Sequence, residues 1–477
     1  MRINAVVITA FGALLGFLLA YVFQYGWYFS LLIPAAVVLL YLAIYQTQFV
    51  FISLAFFTPL SVNIEEYTEG FGLFLPTEPI LFGLMLLLVA NKIKSDGLGW
   101  NEYKHPLFVM LFFYLSWLVI SSIPSTNPLV SSKALLSKLW FVVPCLFFAH
   151  LFLTDWRAIR RFFWFFTCGM ALVVVYTIVN HAGYHFGEKE SHWVMSPFYK
   201  DHTIYGAAVA LVTPFPVMLF FFKRQSALSS MVLLTLFIII LLGLYFSYTR
   251  AAWLSVLGAA GVFALVYFRI DFRWILLGLL AVAVVYIKFG DQIQLELARN
   301  KAEHTTESFD DRLKSATNVT TDASNLERIN RWTCAIEMFK ERPVFGFGLG
   351  TYAFEYARFQ APENLTIIST NFGDMGNAHS EYLSALSETG LMGLILFLGF
   401  VGTGFYYLIQ LVHRSRTVNR EVFVVACGIL FSLSTYFIHA FLNNFLDTDK
   451  AAIPVFTMFA LIVILHNFLS LQPERRI

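Results

Sequence analysis

Apolar runs long enough to cross a membrane recur along almost the whole sequence. Most of these runs have about 17 to 25 residues, which is the length that spans the hydrocarbon core of a bilayer as an α-helix. A helix also satisfies its own backbone polar groups, as a lipid environment requires. The strands of a membrane β-barrel would instead be short and would alternate in hydrophobicity. The sequence therefore predicts an all-α membrane protein that crosses the bilayer many times.

The composition agrees with a polytopic helical bundle. Only 13% of the 477 residues are charged, and the mean hydropathy is +0.69. The net charge of +2 gives no indication of a nucleic-acid partner. We predict about 12–14 transmembrane helices from the length and number of the apolar runs. The candidate spans are near residues 4–23, 27–45, 48–63, 76–91, 106–124, 133–153, 157–180, 204–222, 228–247, 251–268, 273–289, 381–412, 421–442 and 451–470.

Basic residues are concentrated in alternate connections between these runs. One set of connections includes both termini and contains the basic segments 157–161, 269–273 and 414–420. The positive-inside rule assigns such connections to the cytoplasm. We therefore expect both termini to be cytoplasmic and the opposite connections to lie outside.

One outer connection is far longer than the others. Residues 290–380 separate two apolar runs, and a connection of that length is usually functional or disordered. The chain is accordingly divided into N-terminal transmembrane helices at 1–199, central transmembrane helices at 200–289, the large loop at 290–380 and C-terminal transmembrane helices at 381–477. The first part of the loop is polar, whereas its second part has the pattern of a folded segment.

That second part is predicted to contain a helix. Ser324 and Glu327 have the spacing of a capping box, and Pro343 is expected to end the helix that they begin. Arg328 lies on the same helical face as Trp332 and other apolar residues. An arginine on an apolar stripe either extends to the bilayer surface or points into the protein.

The segment FGFGLGTY at residues 345–352 follows this helix. Its three glycines stand at alternate positions, so its backbone amides can form a nest that holds phosphate. A plain turn is the alternative, and it is favoured for this segment taken alone, because no strand precedes the glycines and the dinucleotide-binding fingerprint does not apply.

Two other outer segments carry unusual charges. SYTRAAW at residues 247–253 places Arg250 at the junction of two apolar helices with no acidic residue nearby in the sequence. An unpaired arginine in a membrane costs free energy, about 2.5–3.5 kcal/mol at the centre of a helix and less near the interface. Lys200 and His202 lie together in the outer connection before the eighth span, where solvated loop charges are the alternative interpretation.

The segment NAHSEYLSALSETGLMG begins at residue 377, where the loop becomes an apolar run. His379 can accept a proton near neutral pH, and the positive end of the following helix is expected to lower its pKa. Glu381 or Glu388 would hold the imidazole in one tautomer. Glu381 is the better candidate, because Glu388 lies about two and a half helical turns from His379.

Two arginines and a histidine on the outer face fit a particular chemistry. Guanidinium groups bind phosphate oxygens in a bidentate manner, and a histidine can deprotonate a hydroxyl. A polyprenyl-diphosphate sugar combines phosphate with a transferable glycan. The acceptor hydroxyl would attack the anomeric carbon with His379 as base, and Arg250 and Arg328 would stabilise the departing diphosphate.

These segments resemble the O-antigen ligase and polymerase family of bacterial membrane glycosyltransferases. The similar segments are SYTRAAWL at 247–254, ERINRWTCAIEMFKERPVFGFGLGTY at 327–352 and NAHSEYLSALSETGLMG at 377–393. The resemblance extends over roughly residues 200–445. It implies a bundle close to the GT-C type, in the bacterial inner membrane, with a large periplasmic loop. It also implies metal-independent, inverting transfer from an undecaprenyl-diphosphate-linked glycan, without a cofactor.

The resemblance assigns roles to individual residues. The arginine of its TRxxW motif corresponds to Arg250, the arginine four residues before a tryptophan corresponds to Arg328, and the histidine that precedes the late helix corresponds to His379. These three are the candidate catalytic residues. The candidate substrate-binding residues are Arg331, Glu381, Glu388, Lys200 and His202.

The acceptor distinguishes the activities within this family. A ligase moves the glycan onto lipid A-core, a polymerase moves it onto another lipid-linked repeat, and a third kind glycosylates proteins. The outer connection at 182–203 contains lysines but no arginine. An arginine-rich connection would be expected in a polymerase, so the sequence favours the ligase.

Two further classes remain as alternatives. Asp447 and Asp449 form a DxD-like pair that could hold Mg²⁺ or Mn²⁺ in a metal-dependent glycosyltransferase. A transporter for the same lipid would place its ionisable residues near the bilayer midplane and would often show internal repeats. The charges here are concentrated at one face, which favours an enzyme over a transporter.

Overall fold

A computed structural model describes residues 41–470, apart from residues 43, 66–71, 95–102, 224, 271–272, 274–322 and 361–375. The predicted spans near 4–23 and 273–289, most of the span near 27–45 and the polar first part of the large loop lie outside the described residues.

The described part of the chain is almost entirely helical. Its α-helices are α1 (Thr47–Leu60), α2 (Thr77–Lys94), α3 (Pro106–Ser122), α4 (Pro128–Phe152), α5 (Trp156–Ala182), α6 (His202–Val212), α7 (Pro214–Phe222), α8 (Ala227–Tyr245), α9 (Arg250–Tyr267), α10 (Ala323–Glu341), α11 (Tyr352–Glu355), α12 (Glu381–Ser415), α13 (Arg420–His439) and α14 (Asp449–Ser470). Short 3₁₀ turns occupy Glu190–His192 and Tyr356–Phe359. Strands β1 (Val62–Asn63) and β2 (Phe74–Leu75) pair antiparallel between α1 and α2.

Within the described ranges, eight helical spans are long and apolar enough to cross a membrane, when α6 and α7 are taken as one. The three helices α1, α2 and α3 are apolar but shorter in their hydrophobic length. The prediction of a polytopic, all-α membrane protein is therefore confirmed. The total of 12–14 spans stays a prediction, because three of the candidate spans lie wholly or largely outside the described residues.

Helix α14 lies at the centre of the bundle. Its side chains from Ala451 to Leu465 are buried without interruption, and it packs against α4, α12 and α13. Helix α12 packs against α3 and α13, and α13 packs against α9. Thr249, just before α9, donates to the His202 carbonyl at the start of α6, and the N–H of Glu381 donates to the Ala440 carbonyl just after α13. The amino-terminal ends of α6, α9 and α12 and the carboxyl-terminal end of α13 meet in this way at one end of the bundle.

The end of α1 is attached to the start of α14 by a buried lysine. The Lys450 ammonium donates to the carbonyls of Thr58 and Ser61 at 2.8 Å each and to the carbonyl of Pro59 at 3.1 Å. Lys450 is 2% exposed, so its ammonium is buried at this contact. Its charge is matched by carbonyl dipoles of a neighbouring helix end.

The predicted helix of the large loop is present as α10 and packs against α12. It ends at Glu341, two residues before Pro343, as the sequence predicts. The backbone N–H of Leu391 donates to the Pro343 carbonyl at 2.9 Å. At this contact α12 is kinked at Gly390, where φ is +72°. A Cβ at Gly390 would lie 2.1 Å from the Val344 carbonyl oxygen, so only glycine allows this approach.

Candidate functional site

His379 lies in the short segment that enters α12, and its backbone is held from both sides. Its φ of +47° is uncommon for a residue with a side chain. Its N–H donates to Asn377 Oδ1 at 3.0 Å. Its carbonyl accepts from Trp332 Nε1 at 3.3 Å, so α10 is attached to the histidine itself. The next residue, Ser380, caps α12. These contacts fix the position of the His379 backbone, from which the imidazole extends.

The imidazole of His379 contacts an asparagine rather than a glutamate. Its Nδ1 lies 3.4 Å from Asn443 Oδ1, in the turn between α13 and α14. The Asn443 side-chain nitrogen lies 3.1 Å from Nε2 of His439, at the end of α13. Asn443 and His439 are 2% and 1% exposed. The three side chains therefore form one row that leads from the site into the protein.

The prediction that Glu381 holds the imidazole was wrong. Glu381 Oε1 accepts from the Tyr436 hydroxyl at 2.7 Å and from the N–H groups of Phe445 and Leu446 at 2.7 and 2.8 Å. The difference arises because the carboxylate is already used by α13 and by the turn that follows it. Glu381 instead anchors the turn that carries Asn443.

Arg328 and Arg331 lie one turn apart on α10 and have different surroundings. Arg331 is 6% exposed, and its Nε donates to Glu327 Oε1 at 2.7 Å. It also donates to the Asn377 carbonyl at 3.3 Å and lies over the Tyr356 ring at 4.8 Å. Arg331 therefore joins α10 to the segment before His379, which is a structural role not foreseen from the sequence.

Arg328 is half-buried, and its charge acts on three histidines. It is an electrostatic neighbour of His379, of His202 and of His439. The charge of Arg250 also acts on His202. Arg250 begins α9 and His202 begins α6. The three candidate catalytic residues and His202 are thus brought to one end of the bundle, although they come from four different helices or helix entries.

His202 is positioned by its neighbours in the outer connection. Its ring stacks on that of His192, with the centroids 4.2 Å apart, and its carbonyl accepts from Thr249 Oγ1 at 2.7 Å. The adjacent Asp201 caps α6 through the N–H groups of the first turn. Lys200 is exposed, and the described contacts do not attach it to the other candidate residues.

The glycine-rich segment 345–352 is a turn, as the simpler interpretation expected. The N–H of Phe347 donates to the Ser387 carbonyl at 3.1 Å, and the N–H of Gly348 donates to the Glu388 carbonyl at 2.9 Å. The N–H of Tyr352 donates to Glu388 Oε1 at 3.1 Å. These amides are used by α12, so the phosphate nest is not formed. Glu388, predicted near substrate, holds this turn.

Burial sets the protonation state of His379. It lowers the pKa of the imidazole from 6.5 to about 4, with the charges of Arg328 and Arg331 acting in the same direction. The direction agrees with the prediction, but the main cause is burial rather than the helix dipole. The imidazole is therefore neutral at pH 7 and able to accept a proton.

The two aspartates of the DxD-like pair have separate partners. Asp447 forms an ion pair with Lys138 of α4. Asp449 is fully buried and accepts from the Thr77 hydroxyl at 2.6 Å, and it also accepts from the hydroxyl of Ser61. Their carboxylates bind different helices, which argues against a shared cation site at this pair.

Sequence reasoning missed Asn443, His439 and Trp332 as parts of the site. His439 lies in a predicted span, and an ionisable residue in a span is a signal of function in its own right. Asn443 follows it by four residues, a spacing that places both on one side of a helix end. The sequence placed Trp332 on an apolar stripe and in the motif of Arg328, but it gave no contact between Trp332 and His379.

The fold and the site define a multi-pass membrane protein with cationic and histidine side chains gathered where several helices begin. Residues 234–398 match the family model described as O-antigen ligase. Over these residues the match confirms the family resemblance seen in the sequence. The matched range includes Arg250, Arg328 and His379, whereas His439 and Asn443 lie beyond it. No curated protein matches the chain.

Proposed function

We propose that this protein is a glycosyltransferase that moves a glycan from undecaprenyl diphosphate to a sugar hydroxyl of lipid A-core. The reaction would take place at the periplasmic face of the bacterial inner membrane. The observation that carries the proposal is the neutral His379 imidazole beside Arg328, at the end of the bundle where α6, α9 and α12 begin. A lipid-linked donor and its acceptor meet at the membrane surface, where membrane-spanning helices end.

The chemistry is a single displacement at the anomeric carbon. The acceptor hydroxyl oxygen forms a bond to that carbon, and its proton passes to the His379 imidazole. The bond between the anomeric carbon and the diphosphate oxygen breaks, and its electron pair stays on the departing undecaprenyl diphosphate. The configuration at the anomeric carbon is inverted, and every atom and charge is accounted for without a cofactor.

Arg328 and Arg250 would bind the diphosphate. Negative charge grows on the leaving oxygen as its bond breaks, and preorganised cations near that oxygen lower the barrier. The guanidinium geometry suits two phosphate oxygens at once. His202, on which both arginine charges act, would border the same diphosphate site.

Lipid A-core is proposed as the acceptor on two grounds. The matched family model is described as O-antigen ligase, and the outer connection at 182–203 lacks the arginines expected of a polymerase. Polymerisation of lipid-linked repeats and transfer to protein hydroxyls use the same displacement with another acceptor. They are therefore the alternative outcomes of one experiment.

The experiment is a surface-glycolipid gel from a strain that lacks this gene, complemented with wild type, His379→Ala or Arg358→Ala. Arg358 is the matched control, because it lies in the same loop but is exposed and paired with Glu341 and Glu355. Lipid A-core without glycan in the His379→Ala strain, with full-length glycan in the other two, supports the ligase. Core capped by a single repeat would indicate a polymerase. A wild-type ladder from His379→Ala would overturn the proposal.

A further inference from the structure

The row His379–Asn443–His439 continues past the proposed base into the protein interior. Asn443 and His439 touch no substrate in the mechanism above, and both are almost fully buried. A buried histidine that the reaction does not use still requires a physical explanation, because burial without hydrogen bonds is costly.

In the orientation that the Asn443 amide has in the structure, hydrogen-bond chemistry sets the position of each proton in the row. A side-chain amide oxygen only accepts and an amide nitrogen only donates. Since Asn443 Oδ1 faces His379 Nδ1 at 3.4 Å, that ring nitrogen carries the proton. Its other nitrogen, Nε2, then has a free lone pair. Because the Asn443 nitrogen faces His439 Nε2 at 3.1 Å, His439 accepts there and is protonated on Nδ1.

The amide has a second possible orientation with the opposite result. If the Asn443 side chain rotated by about 180°, its NH₂ group would face His379 Nδ1. The His379 proton would then sit on Nε2, and no lone pair would be available for the acceptor hydroxyl. In the rotated orientation the Asn443 oxygen would face His439 Nε2, so a His439 lone pair at Nε2 opposes the rotation.

We propose that His439 and Asn443 are positioning residues that keep the His379 proton on Nδ1 and leave Nε2 free to act as the base. This inference rests on the proposed glycosyl transfer and adds two residues to it. Glu381 supports the same arrangement, since its carboxylate binds the N–H groups of Phe445 and Leu446 and so holds the turn that carries Asn443.

The row His379–Asn443–His439 lies near charged residues of α10. Arg328, Arg331 and Glu327 of α10 act on His379, and Arg328 also acts on His439. These charges are unchanged in the variants below. A change in the pH profile therefore reports the row itself.

The test compares His439→Phe, His439→Gln and the double variant His439→Phe/Asn443→Asp in purified protein with a defined lipid-linked donor. Phenylalanine removes the acceptor for the Asn443 amide, so kcat is expected to fall about 10- to 100-fold with little change in KM. Glutamine offers an oxygen near the position of Nε2 and is expected to keep most of the activity.

The double variant separates positioning from simple packing. A carboxylate at position 443 accepts from His379 Nδ1 in either orientation, so it no longer needs His439. We expect kcat to recover at least tenfold over His439→Phe at pH 8. The added negative charge favours the protonated imidazole, so the acidic limb of the pH profile moves to higher pH. A double variant with a lower kcat than His439→Phe, or a His439→Phe variant with the wild-type kcat, would overturn the positioning role of His439 and Asn443.

Chemical modification gives a readout that does not depend on catalysis. Diethyl pyrocarbonate reacts with an imidazole lone pair, and mass spectrometry follows the rate at His379. We expect slower modification in His439→Phe and recovery in the double variant. If the wild-type protein transfers no glycan, the proposed function alone is overturned. If the modification rate at His379 is equal in all variants, the positioning role of His439 and Asn443 alone is overturned.

Discussion

The indole Nε1 of Trp332 donates to the backbone carbonyl of His379 at 3.3 Å. This bond joins a helix of the large loop to the residue proposed as the base. His379 also has a φ of +47°, a conformation that persists only when the surroundings hold it. The loop helix α10 therefore does more than cover the site: it fixes the backbone from which the imidazole extends.

Trp332→Phe tests this attachment. Phenylalanine keeps an aromatic ring in the same place but cannot donate, so the His379 carbonyl loses one partner. We expect transfer to fall about 3- to 10-fold, which corresponds to one hydrogen bond of about 1 kcal/mol. Trp193→Phe is the control, because Trp193 is 45% exposed. Equal rates for both variants would show that the bond does not position His379.

Alanine substitutions of Arg328 and Arg331 are expected to have different effects on stability and on transfer. Arg331→Ala removes the guanidinium that donates to the buried Glu327 carboxylate at 2.7 Å, and breaking a buried pair costs about 3–5 kcal/mol. Its melting temperature in detergent should fall markedly. Arg328→Ala should lower the melting temperature less than Arg331→Ala does, and it should lose transfer by more than about 100-fold. The reverse pattern would exchange the roles assigned to the two arginines.

Much of the fold was predictable, because apolar length and the 3.6-residue period are local properties. The bounds of α5 and α14 follow from such patterns. The placement of Arg250, Arg328 and His379 on one face followed from the predicted topology, and the family resemblance gave each of them a role in one site. The local sequence around each of these three residues is equally compatible with a structural role and with a functional one.

The partners of the site residues were not predictable in this way. Glu381 is the acidic residue nearest to His379 in the sequence, yet Asn443 holds the imidazole, because the turn after α13 folds back over the start of α12. The amides of the turn at 345–352 are likewise used by carbonyls of α12. Contacts between distant segments decide both cases, and no local spacing encodes them.

Glu388 is expected to stabilise the protein through the turn at 345–352. Its Oε1 accepts from the N–H of Tyr352 at 3.1 Å, and it is 9% exposed. Glu388→Ala leaves that buried N–H without its partner and should lower the free energy of unfolding by about 1–3 kcal/mol. Glu388→Gln keeps an acceptor oxygen and should have a smaller effect. Thermal unfolding in detergent measures both, and equal melting temperatures would contradict the role.

Transfer is expected to be insensitive to chelators. The Asp447 carboxylate pairs with Lys138 and the Asp449 carboxylate accepts from Thr77, so neither is directed at a shared cation. Purified protein assayed with and without EDTA should give the same initial rate. Asp447→Asn should lower the melting temperature, because it weakens an ion pair with a largely buried lysine. Loss of activity in EDTA that returns with Mn²⁺ would instead favour the metal-dependent alternative.

The pH profile of transfer should show a base with an unusually low pKa. Burial and the nearby charges of Arg328 and Arg331 lower the pKa of His379 to about 4, so its reactive neutral form predominates above that value and declines below it. We expect kcat/KM to stay constant from about pH 8 to about pH 5 and to reach half its maximum near pH 4. Melting temperatures measured at each pH separate loss of the neutral base from acid unfolding. A half-maximum near 6.5, the ordinary value for histidine, would mean either that His379 is hydrated and distant from both arginines during catalysis or that another group is the base.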